Sequence, residues 1–253
     1  MLNRPRVIPC LLLMGTGLVK TRRFSEPVYL GDPRNVVKIF NDKEVDELVL
    51  LDITATREKR PPRIDLISEI VSECFAPLGY GGGITSVEEV RRLINIGIEK
   101  VVINSAAIEN PRLVEQSARI VGSQSVVVSI DVRKTRSGSY EVFTHAGKRS
   151  TNRDPIHVAK EMERAGAGEI LLNSIDLDGM MTGYDLDLIR MVAGEIQVPL
   201  VACGGAGRLQ DLAFAAQAGA SAAAAGSIFV FHGRLRGVLI TFPDSEQLDE
   251  IFR

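Results

Sequence analysis

Three pairs of marker residues hold one register across this chain. Gly82, in the triplet that follows APLGY, is answered 123 positions later by Gly205 after VPLVAC. Asp52 in LVLLDI is answered by Asp176 in LLNSID at 124 positions, and Asn104 in KVVINSA by Gly226 in AAAAGSI at 122. A period of this length is far too long for a solenoid unit, so it predicts duplicated half-domains, roughly 1–124 and 125–253, inside one domain.

Within each half, short β-branched runs alternate with helical patterns. Strands are predicted near 7–13, 47–53, 76–81, 100–105, 126–133, 169–175, 198–203 and 222–226. These runs are continuously apolar, as parallel strands covered by helices require. Asp32-Pro33, Asn110-Pro111 and Asp154-Pro155 each place a capping side chain before a proline whose missing N–H costs nothing in a first helical turn. Ser86 to Glu89 reads as a capping box. Eight such units in a 253-residue chain predict an α/β fold, a (β/α)₈ barrel over 1–253, with an open doubly wound sheet as the alternative.

Composition removes several function classes. A net charge of −2 leaves no electrostatic footprint for nucleic acid or an anionic membrane. No apolar run is long enough to span a bilayer, and the opening MLNRPRVIPC lacks the apolar length of a signal peptide, so the chain reads as cytosolic. Cys10, Cys74 and Cys203 are odd in number and flanked by apolar residues, which predicts reduced core thiols. His145, His157 and His232 lack metal-ligand spacing and read as surface or loop histidines; neither a metal nor a cofactor is expected.

In a barrel of this kind the chemistry gathers where strands end and helices begin. Gly82-Gly83 and Gly204-Gly205 each follow a strand and precede a helix, where bare backbone N–H groups can reach phosphate oxygens; a tight turn alone is the plainer explanation of either. The following strands end in the small polar steps Asn104-Ser105 and Gly226-Ser227, and the paired arrangement predicts a ligand phosphorylated at both ends. Asp131, closing VVVSID, is the candidate acid/base group, against the alternative of an ion pair with Lys20 or Arg133. Its counterpart at the end of VIPCLLL is Leu12, which carries no acid. Lys20 is read either as closing over a phosphate or as a solvated loop lysine, and Asp178 and Asp185 as capping residues.

The succession ELVLLDITATREKR, GGGITSVEEV, KVVINSAAIENP, SQSVVVSID, VFTHAGKRST, GAGEILLNSIDLDG and CGGAG resembles the cyclase subunit of imidazole glycerol phosphate synthase over nearly the whole chain. The resemblance implies a doubly phosphorylated ribulosyl substrate, phosphate contacts from Gly83, Asn104, Asp176, Gly205 and Ser227, and a glutaminase subunit that delivers ammonia through the barrel. It also implies an ammonia gate at Arg6, Glu47, Lys100 and Glu169, whose plainer reading is strand-end solvation.

One departure bears directly on the chemistry. The family's first strand ends in Cys-Leu-Asp, where this chain has Cys10-Leu11-Leu12, and no Asp or Glu appears before Glu26. A positioned acid/base group is worth on the order of 100- to 10,000-fold in rate, so losing one should nearly abolish ring closure. RPRVIPCLLL, GLVKT and YLGDPRNVVKIFNDKEVDEL resemble a divergent branch found with a glutaminase and a sugar amidotransferase in acetamidino-sugar and surface-polysaccharide pathways. Two expectations follow: an ammonia-conducting subunit feeding such an amidotransferase, or a cyclase of histidine biosynthesis with a replacement proton donor.

Overall fold

The computed structural model describes residues 4–233 and 235–253. Its central strands are β1 (Arg6–Met14), β2 (Leu48–Asp52), β3 (Leu78–Gly81), β4 (Lys100–Ile103), β5 (Val126–Lys134), β6 (Glu169–Ser174), β7 (Leu200–Cys203) and β8 (Ala222–Ala225). Each pairs in parallel with the next, and β8 returns to β1 with Arg6 opposite Ala222, so the sheet is closed. The fold is the (β/α)₈ barrel that the sequence predicts, and closure leaves no barrel strand with an unpaired edge.

Alternation along the strands divides two cores. Ile8, Val49, Val102, Val127, Leu171 and Val201 point inward and pack on one another inside the barrel. Their neighbours Val7, Leu50, Val101, Val128, Ile170 and Ala202 point outward into the layer beneath the helices. Because both faces are buried, the strands read as unbroken apolar runs although each obeys a period of two. Leu50 is fully buried in the outer layer, and cutting it to alanine should cost about 2–5 kcal/mol.

The covering helices are α1 (Pro33–Asp42), α2 (Ile64–Val71), α3 (Val87–Asn95), α4 (Ser105–Glu109), α5 (Pro111–Val121), α6 (Pro155–Arg164), α7 (Leu186–Ala193), α8 (Leu209–Gln217), α9 (Ser227–Val230) and α10 (Ser245–Ile251). Asp32 caps α1 by accepting from the Arg34 N–H at 2.9 Å, and Asp154 caps α6 through the His157 N–H at 3.0 Å. Ser86 and Glu89 form the expected reciprocal box at α3. Asn110 differs from expectation: its side chain makes no capping bond. The short α4 runs directly into α5, and Asn110 must end the first while starting the second.

Two hairpins at the rim were hidden in segments that read as loops. β1 and β5 are nine residues long, longer than the other barrel strands, and each turns back on itself beyond the barrel wall. The first hairpin pairs Gly17–Arg22 with β1 and with Ser25–Gly31, and the second pairs Tyr140–Thr144 with β5 and with Arg149–Ser150. They raise a wall around the C-terminal mouth of the barrel.

Candidate functional site

The strand ends and the two hairpins enclose an open cavity of about 540 Å³ at the C-terminal face. Gly82, Gly83, Asn104, Ser105, Gly204, Gly205, Gly226 and Ser227 all border it, together with Leu12, Lys20 and Asp131. Gly82 and Gly205 share positive φ, 115° and 123°, while the second positive-φ residue follows in the first turn, at Gly83, and precedes in the other, at Gly204. A Cβ at Gly82 would strike the Asp52 carbonyl, and one at Gly205 would strike that of Gly183, so only glycine lets these turns pass so close to their neighbours.

Asp131 points inward from β5 and is 7% exposed. The Asn104 amide donates to its Oδ2 at 3.2 Å, and no cation lies within salt-bridge distance among the described residues. Both basic partners considered from sequence are engaged elsewhere. Arg133 pairs with Asp176 at 3.4 Å, and the Lys20 Nζ donates to the Cys10 carbonyl at 3.1 Å. Burial first, and then the charge of Asp178, push the Asp131 carboxyl up to about 7, while contacts to Asn173 and Ser129 pull it back. A carboxylic acid poised near neutrality can both give and take a proton.

Asp178, which capping alone could explain from the sequence, makes no helix cap among the described residues and borders the same cavity as Asp131 from the turn after β6. Thr21 Oγ1 donates to it at 3.2 Å. Its residue surface is partly open because it faces the cavity, yet burial of the carboxylate raises its pKa, which Lys20 and Thr21 oppose. Asp176, expected to touch ligand, does not border the cavity; its carboxylate accepts from the Lys134 N–H at 3.0 Å and pairs with Arg133. The chain turns between Ile175 and Asp178, with the Asp178 N–H donating to the Ser174 carbonyl at 3.0 Å, so the second aspartate of the pair is delivered inward in place of the first.

Lys20 is not a solvated loop lysine. It is 6% exposed, and its terminal atoms press against Gly226, where any side chain would collide with them. Leu12 keeps the inward position of β1, 8% exposed and packed in the inner cluster beside Cys10 and Val19. Cys10, Cys74 and Cys203 are all free thiols. Cys10 and Cys203 also border the cavity and lie close enough for their thiols to perturb each other, an encounter across non-adjacent strands that spacing does not reveal. Asn173 joins them from β6, its Oδ1 buried without a partner.

At the other end of the barrel, Arg6, Glu47, Lys100 and Glu169 form a closed ring. Arg6 pairs with Glu47 and Glu169, and Lys100 reaches the same two acids at 2.8 and 2.9 Å. Each cation thus bridges both anions. Between ring and cavity the interior is lined by the inner aliphatic cluster.

Among the described residues, no helix is long and apolar enough to cross a membrane. The histidine biosynthesis protein family matches residues 6–236. A Pseudomonas aeruginosa protein provisionally named imidazole glycerol phosphate synthase subunit hisF2 is 51% identical over 97% of this chain and 98% of its own length. A Leptospira interrogans protein, provisionally named subunit HisF of the same synthase, is 47% identical over 98% of this chain and 99% of its own. Imidazole glycerol phosphate synthase subunit HisF of Dictyoglomus thermophilum is 45% identical over 89% of this chain and 90% of its own.

Proposed function

Because this chain belongs to the HisF-like family of imidazole glycerol phosphate synthase subunits, we propose that it receives ammonia from a glutaminase subunit docked at the charged ring. We propose further that it passes the ammonia to a sugar amidotransferase of acetamidino-sugar synthesis. The observation that carries this reading is the pairing of a closed ring of Arg6, Glu47, Lys100 and Glu169 at one end with Leu12 on β1 at the other. Ammonia is small and neutral, so it can enter through a ring whose charges cancel and cross an aliphatic interior that excludes ions. Once past that interior it meets a cavity whose first-strand station offers a methyl surface and no proton.

The cavity wall supports retention of a phosphorylated ligand. In this reading Gly82-Gly83 with Asn104-Ser105 hold one phosphate, and Gly204-Gly205 with Gly226-Ser227 hold the other. The backbone donors at these turns supply the contacts, and Lys20 supplies a positive charge nearby. The like backbone of Gly82 and Gly205, and the long β1 and β5 each followed by a hairpin, support the proposal of two half-barrels meeting near residue 124.

Asp178 favours a second reading, a working cyclase of histidine biosynthesis in which Asp131 and Asp178 divide the proton transfers. Ammonium and the ribulosyl bisphosphate substrate separate the two readings. Purified protein should yield little imidazole product, and Leu12→Asp should raise the rate. Robust turnover by the unaltered chain, lost in Asp178→Asn, would establish the second reading and overturn the first.

A further inference from the structure

Of the three histidines, His145 alone borders the cavity, and nothing in its sequence neighbourhood marks it for that place. It sits at the tip of the second hairpin with φ of 54°, followed by Ala146 at 55° and Gly147 at 72°. Two successive non-glycine residues in left-handed backbone are uncommon, and such conformations cluster at ligand sites. The tip is tied directly to the Asn104-Ser105 turn. The His145 N–H donates to Ser105 Oγ at 2.9 Å, Ser105 donates to Asn104 Oδ1 at 3.0 Å, and the Asn104 amide donates to Asp131 at 3.2 Å.

The ring is oriented from one side. Nδ1 lies 3.2 Å from Thr144 Oγ1 and 3.8 Å from Glu109 Oε1, whereas Nε2 makes no hydrogen bond among the described residues. Glu109, on α4, also pairs with Arg149 of the hairpin's return strand at 2.9 Å. Lys148 lies in the same turn, and the other charged side chains bordering the cavity are Lys20, Asp52, Arg57, Lys59, Arg60, Glu89, Asp131 and Asp178. A carboxylate behind one ring nitrogen fixes a proton there and frees the other for a ligand.

We propose that His145 is a ligand-recognition residue: its Nε2 donates to an oxyanion oxygen of the phosphate seated at the Asn104-Ser105 turn, while Glu109 and Thr144 hold the ring. The proposal deepens the phosphate-binding reading above and rests on it. When protonated, the imidazole adds a positive charge at a rim where Glu109 and Arg149 already offset each other. Binding of a dianion should therefore tighten as pH falls through the imidazole range.

Histidine NMR titration of the whole protein with and without sulfate, which stays doubly charged throughout, tests this, with His145→Gln assigning the resonance. Sulfate should raise the His145 pKa by about one unit, equivalent to about tenfold tighter binding to the charged ring, and leave His157 and His232 unmoved. In His145→Gln, sulfate affinity near pH 6 should fall by the same factor. If sulfate shifts the Gly83 and Ser105 amides but not His145, the inference fails and the anion site stands. If nothing at the cavity responds at any pH, both fail. Equal shifts of all three histidines would signal general screening and also overturn the proposal.

Discussion

The two ends of this barrel handle charge in opposite ways. At the N-terminal ends of the strands, two cations and two anions are interlaced so that each charge meets both of its opposites. At the mouth, Asp131 and Asp178 share one cavity, no cation lies within salt-bridge distance of Asp131 among the described residues, and burial, then the charge of Asp178, push its carboxyl up to about 7. Charges that pair in place hold one another ionised, whereas a buried carboxyl with no cation beside it is held toward its neutral form. The same strands supply both ends, so the difference lies in which side chains sit at their two tips.

Breaking the ring should have the largest effect. Lys100→Met leaves Glu47 and Glu169 to share Arg6, and a largely buried acid short of its partner should cost about 2–4 kcal/mol in urea unfolding. Adding Glu47→Gln should recover part of that loss. If the single change costs nothing measurable, the ring is ordinary strand-end charge.

Loading the mouth comes next. Leu12→Asp places another carboxyl in an inward apolar position, and should cost about 1–3 kcal/mol more at pH 8 than near pH 4, where burial keeps the folded-state carboxyl protonated. Removing an acid should act in the opposite direction. The folded-state pKa of Asp131, about 7, stands above its ordinary 3.8. On raising the pH, the unfolded chain therefore releases this proton first, so the contribution to stability falls between those two values and stays low above them. Asp131→Asn should accordingly stabilise the protein by about 1–2 kcal/mol at pH 8 and hardly at all near pH 4. Equal effects at both pH values would show that lost hydrogen bonds outweigh the charge. Smallest of all, Asp176→Asn should change stability by less than about 0.5 kcal/mol and leave sulfate binding unaltered, since its pair with Arg133 is half exposed.

The barrel was legible because its two periodicities are local: apolar runs for the strands, and cap residues before proline for the helices. Gly82, Gly205, Asn104 and Ser227 were legible as cavity residues because a strand end fixes where the next few atoms go. Asp176 and Asp178 were not, because the chain leaves extended geometry at Ser174 and a turn decides which of two nearby aspartates faces inward. The repeat itself misled at this point. Asp52 is its register mate, yet Asp52 is clamped by Arg60 at 2.8 and 2.9 Å while Asp176 is half exposed. His145 and the contact of Cys10 with Cys203 depend on a hairpin tip and on strands distant in sequence, which no local pattern reports.

The most direct measurement is a carboxyl ¹³C NMR titration of Asp131 in the unaltered protein and in Asp178→Asn. The expected result is protonation near pH 7, moving lower when Asp178 loses its charge. A midpoint close to the ordinary aspartate value, unaffected by Asp178, would contradict the contrast between a charge-paired ring at one end and a carboxyl without a cation partner at the other.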